Sequence, residues 1–182
     1  NIYLTGFFVM IMSTILGMGV PGVAAYVIVQ AVAVPVLIDA GTLPLTSHLF
    51  CLIYACLSNI TPPVAISAYV ASGIAGSDQT KTGLWAMRLG IIGFIIPFFF
   101  LDNPVLLVGV DPNASMAASL WAVFTALLGT AGLVAGLEGW LVRRCNFVER
   151  AVLIALAPLL LYPGLVTDAI GIAIFVALIA WQ

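Results

Sequence analysis

The sequence predicts an all-α integral membrane protein, and three observations carry that class. Apolar residues make up 64% of the 182-residue chain, charged residues only 7%, and mean hydropathy is +1.26. A soluble domain averages about 25% charged residues, because its water-facing surface needs them. The few charges are also clustered. Between Asn1 and Ser77 the only formal charge is Asp39, and the rest punctuate long apolar runs. Several of those runs, finally, are broken by Gly and Pro at half the length of a membrane crossing. The surface must therefore face lipid. The net charge of −2 carries no information on partners, but the lack of basic residues excludes a nucleic-acid patch.

Crossing the hydrocarbon core takes about 20 apolar residues. The first stretch, Thr5 to Leu16, falls short and meets Gly17-Met18-Gly19-Val20-Pro21-Gly22. A second, Val23 to Ile38, is also short and ends at Asp39-Ala40-Gly41. Next comes Leu43 to Leu57, then Ser58-Asn59-Ile60-Thr61-Pro62-Pro63, then Val64 to Ala75. Non-helical backbone at membrane depth survives only when buried in protein or lining a wet cavity. The first pair (residues 5–38) therefore reads as a re-entrant helical hairpin with its tip at Gly17 to Gly22. The second (residues 43–76) reads as one discontinuous helix, unwound at Ser58 to Pro63. Paired, Gly/Pro-interrupted segments of this kind point to a transporter's binding site.

Two later segments read as clean transmembrane helices, Gly83 to Leu101 and Ser115 to Val142. The last block, Ala151 to Trp181, is interrupted at Tyr162-Pro163-Gly164, so it is either one kinked span or two half-length helices. Lys81 and Arg88 flank the start of the first clean span, and Arg143, Arg144 and Arg150 the end of the second. The loop between them holds Asp102 and Asp111 but no basic residue. The positive-inside rule then makes both basic loops cytoplasmic. The broken helix runs from outside at Pro44 to inside near Gly76, and the hairpin opens outward.

Gly17 to Gly22 matches the dinucleotide pattern GxGxxG letter for letter, with Asp39 near where a ribose-binding acid would lie. That fingerprint needs a strand, turn and helix in a βαβ unit. Here an apolar run follows and Pro21 sits inside the motif, so no such cofactor is expected. The remaining readings are a simple kink and a hairpin tip whose free backbone groups meet an ion or substrate. At the second break Pro62 and Pro63 lack amide donors, so carbonyls near Ser58 and Asn59 lose helical partners. Free carbonyls with Ser, Asn and Thr oxygens suit a Na⁺-sized cation, and the half-helix beginning near Val64 offers amides to an anion. The bland alternative is a kink whose polar groups are satisfied internally. Gly17, Met18, Gly19, Pro21, Ser58, Asn59, Thr61 and Pro62 are thus the candidate substrate- and ion-binding residues, with Gly17, Gly19, Ser58 and Asn59 the candidate Na⁺ ligands.

Other residues carry less. His48 is the lone histidine and reads as a satisfied side chain near the outer interface rather than a proton relay. Cys51, Cys56 and Cys145 have no metal spacing and behave as small hydrophobes. Gly129, Gly132 and Gly136 share one helix face and permit close helix approach. Asn59 and Asn113 each begin a formal glycosylation sequon, the first unreachable at membrane depth. Asp168 reads as either a half-buried ionisable group or an interface residue. The chain opens at Asn1 on an apolar run that does not read as a signal peptide, and a missing N-terminal portion is expected before it.

Leu16-Gly-Met-Gly-Val-Pro-Gly-Val-Ala-Ala-Tyr26, Ile60-Thr-Pro-Pro-Val-Ala65, Ala71-Ser-Gly-Ile-Ala-Gly76 and Pro104-Val-Leu-Leu107, in that order, resemble the fused permease of TRAP (tripartite ATP-independent periplasmic) transporters. The similarity is to the C-terminal part of the DctM-like large subunit and is most specific over residues 10 to 107. It implies a secondary transporter of a bacterial or archaeal inner membrane. A periplasmic solute-binding protein would deliver a small organic acid, and a Na⁺ gradient would drive its import with no other cofactor. It also implies an elevator with two inverted repeats, each a hairpin plus a broken helix. Residues 1–110 would be the second-repeat transport region and 111–182 the C-terminal transmembrane helices. The first repeat would lie in the missing N-terminal portion of the same permease. Val20-Pro21-Gly22, where many such subunits have an acid and Gly, fits the subgroup served by TAXI-type binding proteins.

Two rival functions use the same residues. A channel would employ the breaks as a filter, but symmetric copies around a pore are its usual basis. An intramembrane serine protease would need Ser58 activated by His48. Ten residues apart on one helix they stand about 15 Å from each other. Neither rival explains the resemblance, and no enzymatic activity is expected.

Overall fold

In the computed structural model the described residues are 1–182 except Pro112, Pro163 and the side chains of Asp102 and Leu165. The described residues form helices and turns with no strand beyond one isolated bridge, Trp140 to Arg144. The chain divides into two compact units, Asn1–Asp102 and Asn103–Gln182.

The N-terminal unit begins with a helical hairpin, α1 (Ile2–Gly17) and α2 (Gly22–Asp39). Asn1 caps α1 by accepting from the Tyr3 amide, and Pro21 precedes α2, where its missing N–H is harmless. α2 corrects one expectation. It takes in Gly22 and Asp39 at its ends and tolerates Pro35, reaching 18 residues with a mean hydropathy of 1.9. This arm is therefore long and apolar enough to cross by itself, which α1 at 16 residues is not.

The broken helix follows as α3 (Pro44–Leu57), a 3-10 turn (Ser58–Ile60) and α4 (Ile66–Ala75). α3 starts on Pro44, the position where proline fits a helix best. α4 begins two residues later than the expected Val64, because Ala65 turns left-handed (φ 33°) before it. α1 and α3 run parallel: Gly6 lies against Phe50, and Gly17 against Ala55 and Ser58. Their shared core holds Val9, Val29, Ala33, Leu37, Phe50 and Tyr54. His48 is indeed satisfied, its Nδ1 standing 2.7 Å from the Tyr26 hydroxyl of α2.

The span expected from Gly83 starts earlier, as α5 (Gln79–Leu89), and turns at Gly90 into α6 (Ile91–Asp102). Asp78 explains the early start, since its carboxylate accepts from the Lys81 amide and caps the helix.

In the C-terminal unit a 3-10 turn (Pro104–Leu106) leads to α7 (Met116–Glu138), capped at one end by the Ser115 hydroxyl and at the other by left-handed Gly139. α7 thus stops short of the expected Val142. Next come α8 (Phe147–Leu161) and α9 (Leu165–Trp181), so the last block is two helices rather than one kinked span. Pro163, at which the break was expected, lies outside the described residues. An Asn146–Glu149 capping box starts α8. α9 folds back along α8: Gly171 meets Leu160, while Gln182 donates to Glu149 Oε2 at 3.2 Å. Large apolar side chains such as Phe8, Val23, Ile74 and Val166 lie exposed, as a lipid-facing surface requires.

Candidate functional site

The two breaks of the N-terminal unit meet. α1 ends at Gly17, and the chain reverses through Met18, Gly19 (φ 84°), Val20 and Pro21. A left-handed residue is needed to turn so tightly, and Gly supplies it without steric penalty. Met18 N–H donates to the Ile15 carbonyl and Val20 N–H to the Gly17 carbonyl, which closes the tip on itself. A Cβ at Gly17 would fall 2.7 Å from Ser58 Oγ and 3.1 Å from the Ala55 carbonyl, so only a bare backbone can approach this far. Gly22 faces Cys56 Sγ and the Asn59 amide, and Gly19 faces Val64.

On the other side of the contact, the break is built by missing donors. Neither Pro62 nor Pro63 has an N–H, so no 3-10 or α-type turn can close onto the Asn59 carbonyl. Ser58 differs from expectation here, because its carbonyl does find a donor in Thr61 N–H at 3.2 Å. The side chains fold back on the preceding turn. Ser58 Oγ donates to Ala55 at 2.6 Å, Asn59 Nδ2 to Cys56 at 3.3 Å, and Thr61 Oγ1 to Leu57 at 2.7 Å. Each of these groups has thus committed a donor and still presents oxygen lone pairs. A set of oxygens without spare protons is what a hard cation accepts. Ser58 is fully buried and Thr61 nearly so, while Asn59 is half-buried.

The eight expected site residues do not all converge. Gly17, Gly19, Ser58 and Asn59 lie along the contact between tip and break. Pro62 packs on Gly83 of α5, and Pro21 is exposed as the cap of α2. Met18 is half-buried at the tip.

The sequence reading missed how the break is held. α5 and α6 run antiparallel along it, and glycines mark the closest approaches. A Cβ at Gly83 would stand 2.9 Å from Tyr69, one at Gly90 2.5 Å from Ile60, and one at Gly93 3.0 Å from Leu57. Beyond them Tyr54 donates to the Phe94 carbonyl at 2.7 Å, and Phe98 packs edge-on against Phe50 and Tyr54. Below the break Tyr69 donates to the Pro63 carbonyl at 2.8 Å. The signal available was three glycines in a span otherwise rich in bulky residues. Ala65, left-handed without being Gly, has no signal in the sequence at all.

A model of the family described as tripartite ATP-independent periplasmic transporter, DctM component, matches residues 3–113, more than half of the chain. No curated protein and no solved structure matches.

Proposed function

The chain belongs to the DctM component family of tripartite ATP-independent periplasmic transporters, and we infer that the contact between the Gly17–Pro21 tip and the Ser58–Pro62 break is its ion and substrate site. Membership makes the protein a multi-pass component of a secondary transporter. The finer reading is import of an organic acid, delivered by a periplasmic solute-binding protein and driven by Na⁺ across a bacterial or archaeal inner membrane.

The observation that carries this is the Asn59 carbonyl, deprived by Pro62 and Pro63 of both amides that could close on it. The same residue's side-chain amide faces Gly22, and the neighbouring Ser58 faces Gly17. A carbonyl left open at membrane depth is costly unless an ion, a solute or water answers it. Na⁺ would be held by oxygens of Gly17, Gly19, Ser58 and Asn59. Met18 and Thr61 would stand nearest the acid, with Pro21 and Pro62 setting the backbone that carries the tip and the break. The start of α4 would present amides to its carboxylate.

Asn59→Ala or Gly19→Leu should abolish Na⁺-driven uptake of organic acids into proteoliposomes in the presence of the binding protein, with membrane yield unchanged. Undiminished uptake by both variants would sink the assignment. A break that is only a kink, with Ser58, Asn59 and Thr61 satisfied on their own backbone, predicts that outcome.

A further inference from the structure

The C-terminal unit holds a second candidate site of its own. Asp168 lies in the first turn of α9 and is 1% exposed, which decides between the two readings its sequence position left open. Its Oδ2 accepts from the indole Nε1 of Trp121 on α7 at 2.9 Å. Its Oδ1 is buried and has no hydrogen-bond partner among the described residues.

Among the described residues, nothing in the unit's apolar core answers that oxygen. The core cluster is Ala135, Leu153, Leu156, Leu160 and Phe175. Of the helices packed there, α7 carries Glu138 as its only formal charge, α8 carries Glu149 and Arg150, and α9 has none besides Asp168. Those charges gather at the opposite end of the bundle. Arg150 donates to the carbonyls of Gly136 and Leu137, and Glu149 pairs with Arg143 at 3.2 Å. From Trp121 to Glu138 the α7 axis runs about 25 Å. At the near end Tyr162 is exposed, and Asp111, in the segment before α7, is half-buried and accepts from the Asn113 amide. Burying an isolated charge in such surroundings is far costlier than burying a neutralised one. Ionisable residues inside a membrane characteristically mark ion pathways.

We propose that Asp168, held by Trp121, is a binding site for a small monovalent cation, H⁺ or Na⁺, taken up at Oδ1. The indole N–H only donates, so it cannot carry the cation itself. Trp121 instead fixes the carboxyl plane through Oδ2 and leaves Oδ1 open, and is thereby a positioning residue.

The test treats the full permease in proteoliposomes with dicyclohexylcarbodiimide. A protonated carboxyl adds its O–H across the reagent's C=N bond, and mass spectrometry locates the adduct. Label on Asp168 should fall as pH rises, and exposed Asp39 and Asp78 should take up none under the same conditions. Protection by added Na⁺ at fixed pH identifies Na⁺ as a ligand, and no protection leaves H⁺ alone; both support the site. Asp168→Asn, which keeps the shape, should lose the label. Trp121→Phe should keep it with a displaced pH profile, and an unmoved profile would remove the positioning role of Trp121. Infrared difference spectra of wild type against Asp168→Asn, after a pH or Na⁺ jump, should show a carboxyl band that the variant lacks. If neither label nor band responds to pH or Na⁺, Asp168 is a tether between α7 and α9 and the proposal falls.

Discussion

The two units use the same device to opposite ends. In the C-terminal unit Gly129 and Gly136 of α7 press against α8, and a Cβ at either would come within 3.2 Å of the Ala157 or Arg150 carbonyl. Both helices continue past the contact, so the Arg150 and Ala157 carbonyls lie within α8, where Pro158 costs only the Ile154 carbonyl its helical amide. In the N-terminal unit Gly17 approaches the Ala55 carbonyl just as closely, yet one helix ends there and the other is about to break. A glycine contact between continuous helices is a lock. Between interrupted ones it sets a helix end against a break whose Asn59 carbonyl has lost both helical amides to Pro62 and Pro63.

The sharpest way to break this contrast is to add a methyl group to each contact. Gly17→Ala forces Ser58 away, and an overpacking cost of about 1–3 kcal/mol falling on the site corresponds to a loss of roughly tenfold or more in uptake rate. Membrane yield should hold, and uptake within twofold of wild type would remove the distinction between the units. Gly129→Ala should act on the lock instead. It should lower unfolding stability in detergent by about 1–3 kcal/mol, and uptake per folded molecule should stay constant. The smallest effect belongs to the brace. Tyr54→Phe deletes the hydrogen bond to the Phe94 carbonyl and should cost about 0.5–1.5 kcal/mol in a thermal melt. A larger loss would mean that α6 holds the break more tightly than its one polar contact implies.

What could be read beforehand follows the range of the chemistry. Both breaks were legible because their causes are local: a proline lacks its own amide, and a glycine permits its own turn. Class was legible because lipid imposes it on the whole composition. The bracing of Ile60 and Leu57 by Gly90 and Gly93 was not, since it depends on which helix lies alongside. The reach of α2 to 18 residues was missed by counting Gly22 and Asp39 as breakers when they serve as helix ends. Asp168 escaped for the same reason as the brace. One carboxyl in the first turn of a helix looks alike whether a neighbouring helix covers it or not.

Ala65 deserves a last consequence. Its methyl group is held in a left-handed backbone that L-residues avoid by about 1–2 kcal/mol, at the joint between the break and α4. Glycine at that joint would relieve the penalty, so Ala65→Gly is expected to give the sturdier protein. It would also give the slacker one. With alanine the joint is sprung, and a push on α4 arrives at the break as displacement instead of being absorbed as a change of backbone angle.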